Sequence, residues 1–214
     1  MNWTPPTAAA EDSVTLGSDR ARMPALTIGI GGGSGSGKSA VSEELRERLN
    51  PRRVKVINQD RYFLETERLP RHTSRDGGRT WPDHNHPDSF DFQSLRTDVR
   101  AAQESEVDVV IVEGILVLHD PELRELMDLK VFVAADADER IVRRIRRNVA
   151  RGYSLDEVSE FYLDSVRYRH EEFCEPTRAY ADLVIRGGRD DRVETEKTLD
   201  EVCARVRSRL GSAR

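Results

Sequence analysis

Eight consecutive residues, Gly32-Gly33-Ser34-Gly35-Ser36-Gly37-Lys38-Ser39, carry the most specific chemistry in the chain. They fit the spacing G-x-x-x-x-G-K-[ST], a loop that cradles a polyphosphate. Such a ligand needs many hydrogen-bond donors at close range, and side chains would be in the way. Glycines let successive backbone N–H groups turn into one concavity. Ala40 opens the helix that follows, and the positive end of its dipole adds to the field. On this reading Gly32, Gly33, Ser34, Gly35, Ser36, Gly37 and Ala40 surround the phosphates of ATP. Lys38 reaches the β- and γ-phosphates and the Ser39 hydroxyl ligates Mg²⁺. A flexible Gly/Ser linker has no reason to end in Gly-Lys-Ser between a strand and a helix.

Three further features complete a phosphate-handling set. Asp60 follows a strand ending in Ile57-Asn58-Gln59, beyond whose carboxyl end ligands of open α/β sheets bind. It could take the proton of an attacking hydroxyl, hold a magnesium-bound water, or simply cap a turn. Glu113 sits at the tip of the apolar run Val107–Val112, where a second carboxylate would hold Mg²⁺ or its waters. Six arginines lie between Glu139 and Arg151 in an otherwise acidic chain. Of these, Arg140, Arg143, Arg144, Arg147 and Arg151 recur at spacings of three and four, so they share one broad helix face. Guanidinium forks match phosphate oxygens and can neutralise a transferring phosphoryl group, although a solvated face is the ordinary fate of a charge run.

The elements that must position these groups are legible from periodicity. Ala25–Ile30, Arg53–Asn58, Val107–Val112, Leu129–Ala134 and Asp182–Ile185 are β-branched or apolar runs and read as strands. Ala40–Leu49, Phe92–Glu104, the arginine segment from Asp136, Leu155–His170 and Glu194–Leu210 read as helices. Strands alternating with helices predict an α/β class with a mainly parallel, doubly wound sheet. Residues 1–22 lack periodicity and are expected to be a disordered tail, leaving 23–214 as a single domain. Leu64–Pro87 has no usable period and reads as a long functional loop carrying Trp81. His84-Asn85-His86 within it is weak as a zinc site, because no second ligand pair exists elsewhere.

Composition bounds the rest. At 214 residues the chain can bury a substantial core. A formal net charge of −5 argues against general nucleic-acid binding. Two cysteines, Cys174 and Cys203, lie far apart and point to a reduced, cytoplasmic protein. No apolar run approaches membrane-spanning length.

Taken in order, these residues resemble the uridine kinase and phosphoribulokinase-like group of P-loop kinases. The likeness rests on Gly32–Ser39, Ile57-Asn58-Gln59-Asp60, His86-Pro87-Asp88-Ser89-Phe90-Asp91, Val112-Glu113-Gly114-Ile115-Leu116, the arginine helix Asp138–Arg151, and Phe173–Asp182 running into Gly187-Gly188. The resemblance implies a P-loop sandwich with five strands in the order 2-3-1-4-5 and an arginine-bearing helical lid at about 139–170. It implies transfer of the γ-phosphate of ATP, with Mg²⁺, to the 5′-hydroxyl of a nucleoside such as uridine or cytidine. It also implies that Asp60 is the general base, with Lys38, Arg143 and Arg144 as catalytic cations, Arg140 and Arg151 toward the nucleotide, and Ser39 and Glu113 toward the metal. Many relatives assemble into homo-oligomers, but no residue here marks an interface.

Two departures from the family pattern bear on the acceptor. Uridine kinases usually carry Asn-Phe-Asp before His-Pro-Asp, with that aspartate on the ribose hydroxyls. Here the residues are Asp83-His84-Asn85, so Asn85 or Asp83 must serve. The hairpin that reads the pyrimidine in the family has no room between Asp91 and Val107. Tyr62, Phe63, Trp81 and His84 could form a different ring pocket. A nicotinamide riboside kinase-like activity, or a kinase for another small alcohol, is the alternative acceptor reading. A nucleotide-dependent switch is the alternative class, but the sequence has neither an Asp-x-x-Gly switch beside the P-loop nor an Asn-Lys-x-Asp motif.

Overall fold

A computed structural model describes residues 23–74, 77–187 and 192–211. The tail expected at 1–22, and Gly188, lie outside the described residues. Five strands form the main sheet: β1 (Leu26–Gly31), β2 (Val54–Asn58), β5 (Val109–Gly114), β6 (Leu129–Ala134) and β7 (Leu183–Arg186). Their order is β2-β5-β1-β6-β7, and every pairing is parallel. Numbered among themselves, these five strands run 2-3-1-4-5, as the resemblance implies.

Alternation along each strand feeds two cores. Leu26, Ile28, Ile30, Val109 and Ile111 point to one face, where α1 (Lys38–Arg48) and α7 (Arg192–Gly211) cover them with Val41, Leu45, Leu199, Val202 and Val206. Val110, Val112 and Phe132 point to the other face, against Leu95 and Val99 of α2 (Phe92–Glu104) and Leu123 of α3 (Pro121–Glu125). Both faces of β5 are therefore dry, which is why its sequence is a nearly unbroken apolar run rather than an alternating one.

The structure departs from periodicity in three places. Leu64–Pro87 is not a structureless loop: β3 (Arg71–Thr73) and β4 (Thr80–Pro82) pair antiparallel inside it. Three-residue strands are too short to show a period. Leu155–His170 is not one regular helix: α5 (Leu155–Phe161) passes into a π turn at Tyr162–Val166, one α turn (α6, Arg167–Arg169), a second π turn at His170–Cys174, and a 3₁₀ segment at Glu175–Tyr180. Wide turns of this kind often mark functional positions in a helix. α3 is a single turn too short to show a period, capped by Asp120 with Pro121 at its first position. Between α2 and β5 only four residues intervene, so no pyrimidine-reading hairpin stands there.

Candidate active site

The carboxyl ends of β1, β2 and β5 open onto one cleft of about 680 Å³. Ser34, Lys38 and Ser39 of the P-loop line it, with Asn58 at the end of β2, Asp60 just after it, and Ile115 after β5. The opposite wall is Phe63, Arg79, Trp81, Pro82, His84 and Asn85. Arg144, Arg147 and Arg151 of α4 (Ala137–Val149) and its C-terminal turn, with Tyr153, Glu157, Glu160 and Phe161, close it from above.

The P-loop is shaped by backbone constraint. Gly35 has φ +84°, a left-handed conformation, and a Cβ there would lie 2.6 Å from the Arg140 carbonyl oxygen. A Cβ on Gly33 would lie 2.9 Å from the Arg140 guanidinium and the His170 ring. Gly35→Ala must therefore strain φ and push backbone against backbone, and we expect ATP affinity to fall more than about tenfold with little change in overall fold. Nucleotide titration with far-UV circular dichroism as control checks this.

Electrostatics inside the cleft are unevenly balanced. Burial lowers the Lys38 ammonium from its usual value, opposed by the nearby Asp60 and Glu113 carboxylates. Asn58 fixes both acids in place: its amide donates to Glu113 Oε1 at 2.9 Å, and its Oδ1 accepts from the Asp60 N–H at 2.7 Å. The parallel register puts Asn58 directly beside Glu113. Glu113 is buried and its second oxygen, Oε2, has no partner among the described residues. That orphaned hard oxygen, with the Ser39 hydroxyl at the cleft wall, is the donor chemistry a magnesium ion takes, with its remaining ligands from water and phosphate. The residues present thus fit Mg²⁺.

The arginines divide by contact. Arg144 Nη1 and Arg147 Nη2 both donate to Ser34 Oγ, at 3.0 and 3.2 Å. Burial and the neighbouring Arg147 bring the Arg144 guanidinium down to about 10, so it is charged at neutral pH. Among the described residues neither is in direct contact with a carboxylate, although the Asp60 charge acts favourably on Arg147 from nearby. Arg143 does not line the cleft: it donates to the carbonyls of Gly35, Ser36 and Gly187 and pairs with Glu139, bracing the loop from outside. Arg140 is 6 % exposed, donates to the Ala135 carbonyl, and packs behind Gly33. The shared face inferred from sequence is present, but only its Arg144–Arg147–Arg151 part opens to the cleft.

The acceptor-side residues also separate. Phe63, Trp81 and Asn85 line the cleft. Tyr62 turns away, its hydroxyl donating to Asp98 at 2.7 Å. Asp83 has no exposed surface, because Arg169 holds its carboxylate at 2.7 Å. His84 meets Phe63 edge-on, whereas His86 Nδ1 accepts from the Asp88 N–H, so the two histidines serve different ends. Ala40 lies in the first turn of α1, outside the cleft lining. Reading from sequence passed over Asn58, Arg79, Tyr153, Glu157, Glu160, Phe161 and His170. Only the alternation Arg79, Trp81, Asp83 gave a signal, since side chains two apart share one face of an extended segment.

Comparison with known proteins agrees with this geometry. The family model described as "Phosphoribulokinase / Uridine kinase family" matches residues 27–107 and 88–194. A uridine kinase of Clostridium botulinum (strain Okra / Type B1) is 36% identical over 195 residues, covering 80% of this chain and 92% of that one. A uridine kinase of Lactococcus lactis subsp. lactis (strain IL1403) is 39% identical over 187 residues, covering 76% and 88%. Among solved structures, the shikimate kinase from Bacteroides thetaiotaomicron superposes with a TM-score of 0.50 at 21% identity, over 83% of this chain and 95% of its own, a likeness of fold. With a P-loop, two strand-end carboxylates and the arginines of α4 assembled around one cleft, and with a family match spanning most of its length, the chain belongs to the phosphoribulokinase / uridine kinase family.

Proposed function

We propose that the protein transfers the γ-phosphate of ATP to the 5′-hydroxyl of a nucleoside, with uridine and cytidine as the first acceptors to test. The observation that carries the reading is that one cleft holds both halves of the reaction: Lys38, Arg144 and Arg147 at the phosphate end, and Asp60 facing an aromatic and amide wall at the other. The uridine kinases at 36–39% identity support it.

The chemistry follows from position. Lys38 and the loop N–H groups fix the β- and γ-phosphates. The acceptor hydroxyl lies against Asp60, which takes its proton as the new P–O bond forms. The bond from the γ-phosphorus to the bridging oxygen breaks, and ADP leaves with that electron pair. Arg144 and Arg147 neutralise charge on the transferring group and, with the lid, exclude water that would otherwise compete as acceptor. Ser39 and Glu113 would hold Mg²⁺, which when bound offsets charge on the phosphate oxygens.

A second acceptor reading rests on one observation. The wall around Trp81, Phe161 and Tyr153 carries Glu157 and Glu160, in place of the missing pyrimidine hairpin. The aromatic faces suit a cationic ring such as that of nicotinamide riboside, while Glu160 is paired with Arg79 and Glu157 with the Ser154 cap. ADP release measured with uridine, cytidine, other nucleosides, nicotinamide riboside and no acceptor decides between them. A nucleoside is expected to raise release well above the control. Equal release with and without every acceptor overturns the kinase reading in favour of a nucleotide switch. Among the described residues no helix is long and apolar enough to cross a membrane, and Cys174 and Cys203 are unpaired and buried. We assign the protein to the cytoplasm as part of this reading.

A further inference from the structure

β4 and the residues flanking it turn every second side chain toward the lid. Arg79, Trp81 and Asp83 are two apart and share a face. Arg79 and Trp81 meet α5, and Asp83 meets α6. The Arg79 guanidinium pairs with the Glu160 carboxylate. The Trp81 ring stands edge-on to Phe161, with centroids 5.8 Å apart. Asp83 Oδ2 accepts from Arg169 Nε at 2.7 Å.

The three rungs differ in kind. The first is on the surface, its side chains 59% and 51% exposed, and such pairs are screened and weak. The last is internal: the Asp83 side chain is 0% exposed. Asp83 is also fastened on its own side. Its Oδ1 accepts from the Asn85 N–H at 2.9 Å, its N–H donates to the Pro70 carbonyl at 2.7 Å, and its carbonyl accepts from the Ser89 hydroxyl. Arg169 is fastened on the other side by Glu172 at 2.6 Å, and the next residue, His170, lies against Gly33 of the P-loop.

Burying a carboxylate is costly even when it is paired, and here Asp83 is fully buried while the Arg169 side chain stays 23% exposed, so stability alone does not account for the pair. What the ion pair adds is a fixed distance. Opening it alone would strand a buried carboxylate, whereas an apolar contact can slide. We propose that Asp83 and Arg169 are positioning residues that couple the acceptor wall to the lid, so that the two move as one body over the phosphates and Asn85 is set in the cleft by the same pair. This rests on the kinase reading above. It assigns Asp83 to a latch rather than to direct contact with the acceptor.

The test compares the native protein with Asp83→Asn/Arg169→Met, which removes both charges and so avoids the stranded carboxylate left by Arg169→Met alone. Hydrogen exchange is followed with and without a non-hydrolysable ATP analogue, which needs no acceptor. In the native protein the analogue is expected to raise protection in 155–174 and in 77–85 together. In the double variant protection should rise in 155–174 only, the KM for the acceptor should rise about tenfold, as for a typical coupling between sites, and the KM for ATP should not change. The proposal is overturned if 77–85 in the native protein ignores the analogue, or if the double variant keeps both the response and the native acceptor KM. Failure of the kinase reading is a separate result: the native protein then lacks acceptor-dependent ADP release, while exchange still decides the coupling.

Discussion

Asp60→Asn is expected to lower kcat by about 10²- to 10⁴-fold, the usual contribution of a positioned general base, while ATP affinity stays close to native. The two effects separate because of where Asp60 stands. It lines the cleft after β2 rather than the P-loop, and its backbone, not its carboxylate, is held by Asn58. An amide of the same shape keeps that cap and keeps the 3₁₀ turn Gln59–Tyr62 in place. It loses the ability to take a proton and the attraction of its charge for Lys38 and Arg147. Loss of that attraction acts on the nucleotide in the favourable direction, because a carboxylate near the γ-phosphate repels it. Single-turnover transfer, with nucleotide binding measured separately, checks both parts. Native turnover in the variant would assign proton removal to water or to substrate, and leave Asp60 as a turn residue.

How far the sequence reached depends on whether the signal was local. The P-loop is local: strand, glycines, Gly-Lys-Ser and helix are contiguous, and each residue type has one reason to be there. Strand-end carboxylates such as Asp60 and Glu113 are nearly as local, because a buried parallel strand announces its own end. The sheet's order is not local, and it came through resemblance rather than periodicity. The lid arginines were legible as a face but not as individuals. Arg143 and Arg144 are adjacent, yet one braces carbonyls at Gly35, Ser36 and Gly187 while the other reaches Ser34. A 100° turn between neighbours decides this, and only the placement of α4 against the P-loop fixes which way the face points. Asp83 was open between two roles for a similar reason. Its partner Arg169 lies 86 residues away, in a stretch whose π turns shift the helical phase and erase the spacing that would have revealed it.

Arg144→Met should lower kcat by about 10²- to 10³-fold with a smaller rise in the KM for ATP, the loss typical of removing one preorganised donor from developing charge. Arg144 and Arg147 converge on Ser34, so the cleft holds two positive charges at the loop's mouth, Arg144 largely desolvated and Arg147 more exposed and partly offset by Asp60. Burial first, and the neighbouring Arg147 charge second, lower the Arg144 guanidinium, so its positive charge is disfavoured in the resting protein. A γ-phosphate removes that cost, and charge spread over its equatorial oxygens during transfer removes more of it. Methionine keeps the packing against Phe161, over whose ring the guanidinium sits at 5.8 Å, so the contact between α4 and α5 is retained while the charge is lost. Arg147→Met should cost less, because that side chain is more open to solvent and its charge is better screened. The double variant should fall short of the product of the two, since removing either charge relieves the other. Arg144→Lys separates charge from geometry: an ammonium restores the field but cannot donate as a fork, so partial recovery is expected. Full recovery by lysine would mean that charge alone suffices, and no recovery that the bidentate shape carries the effect.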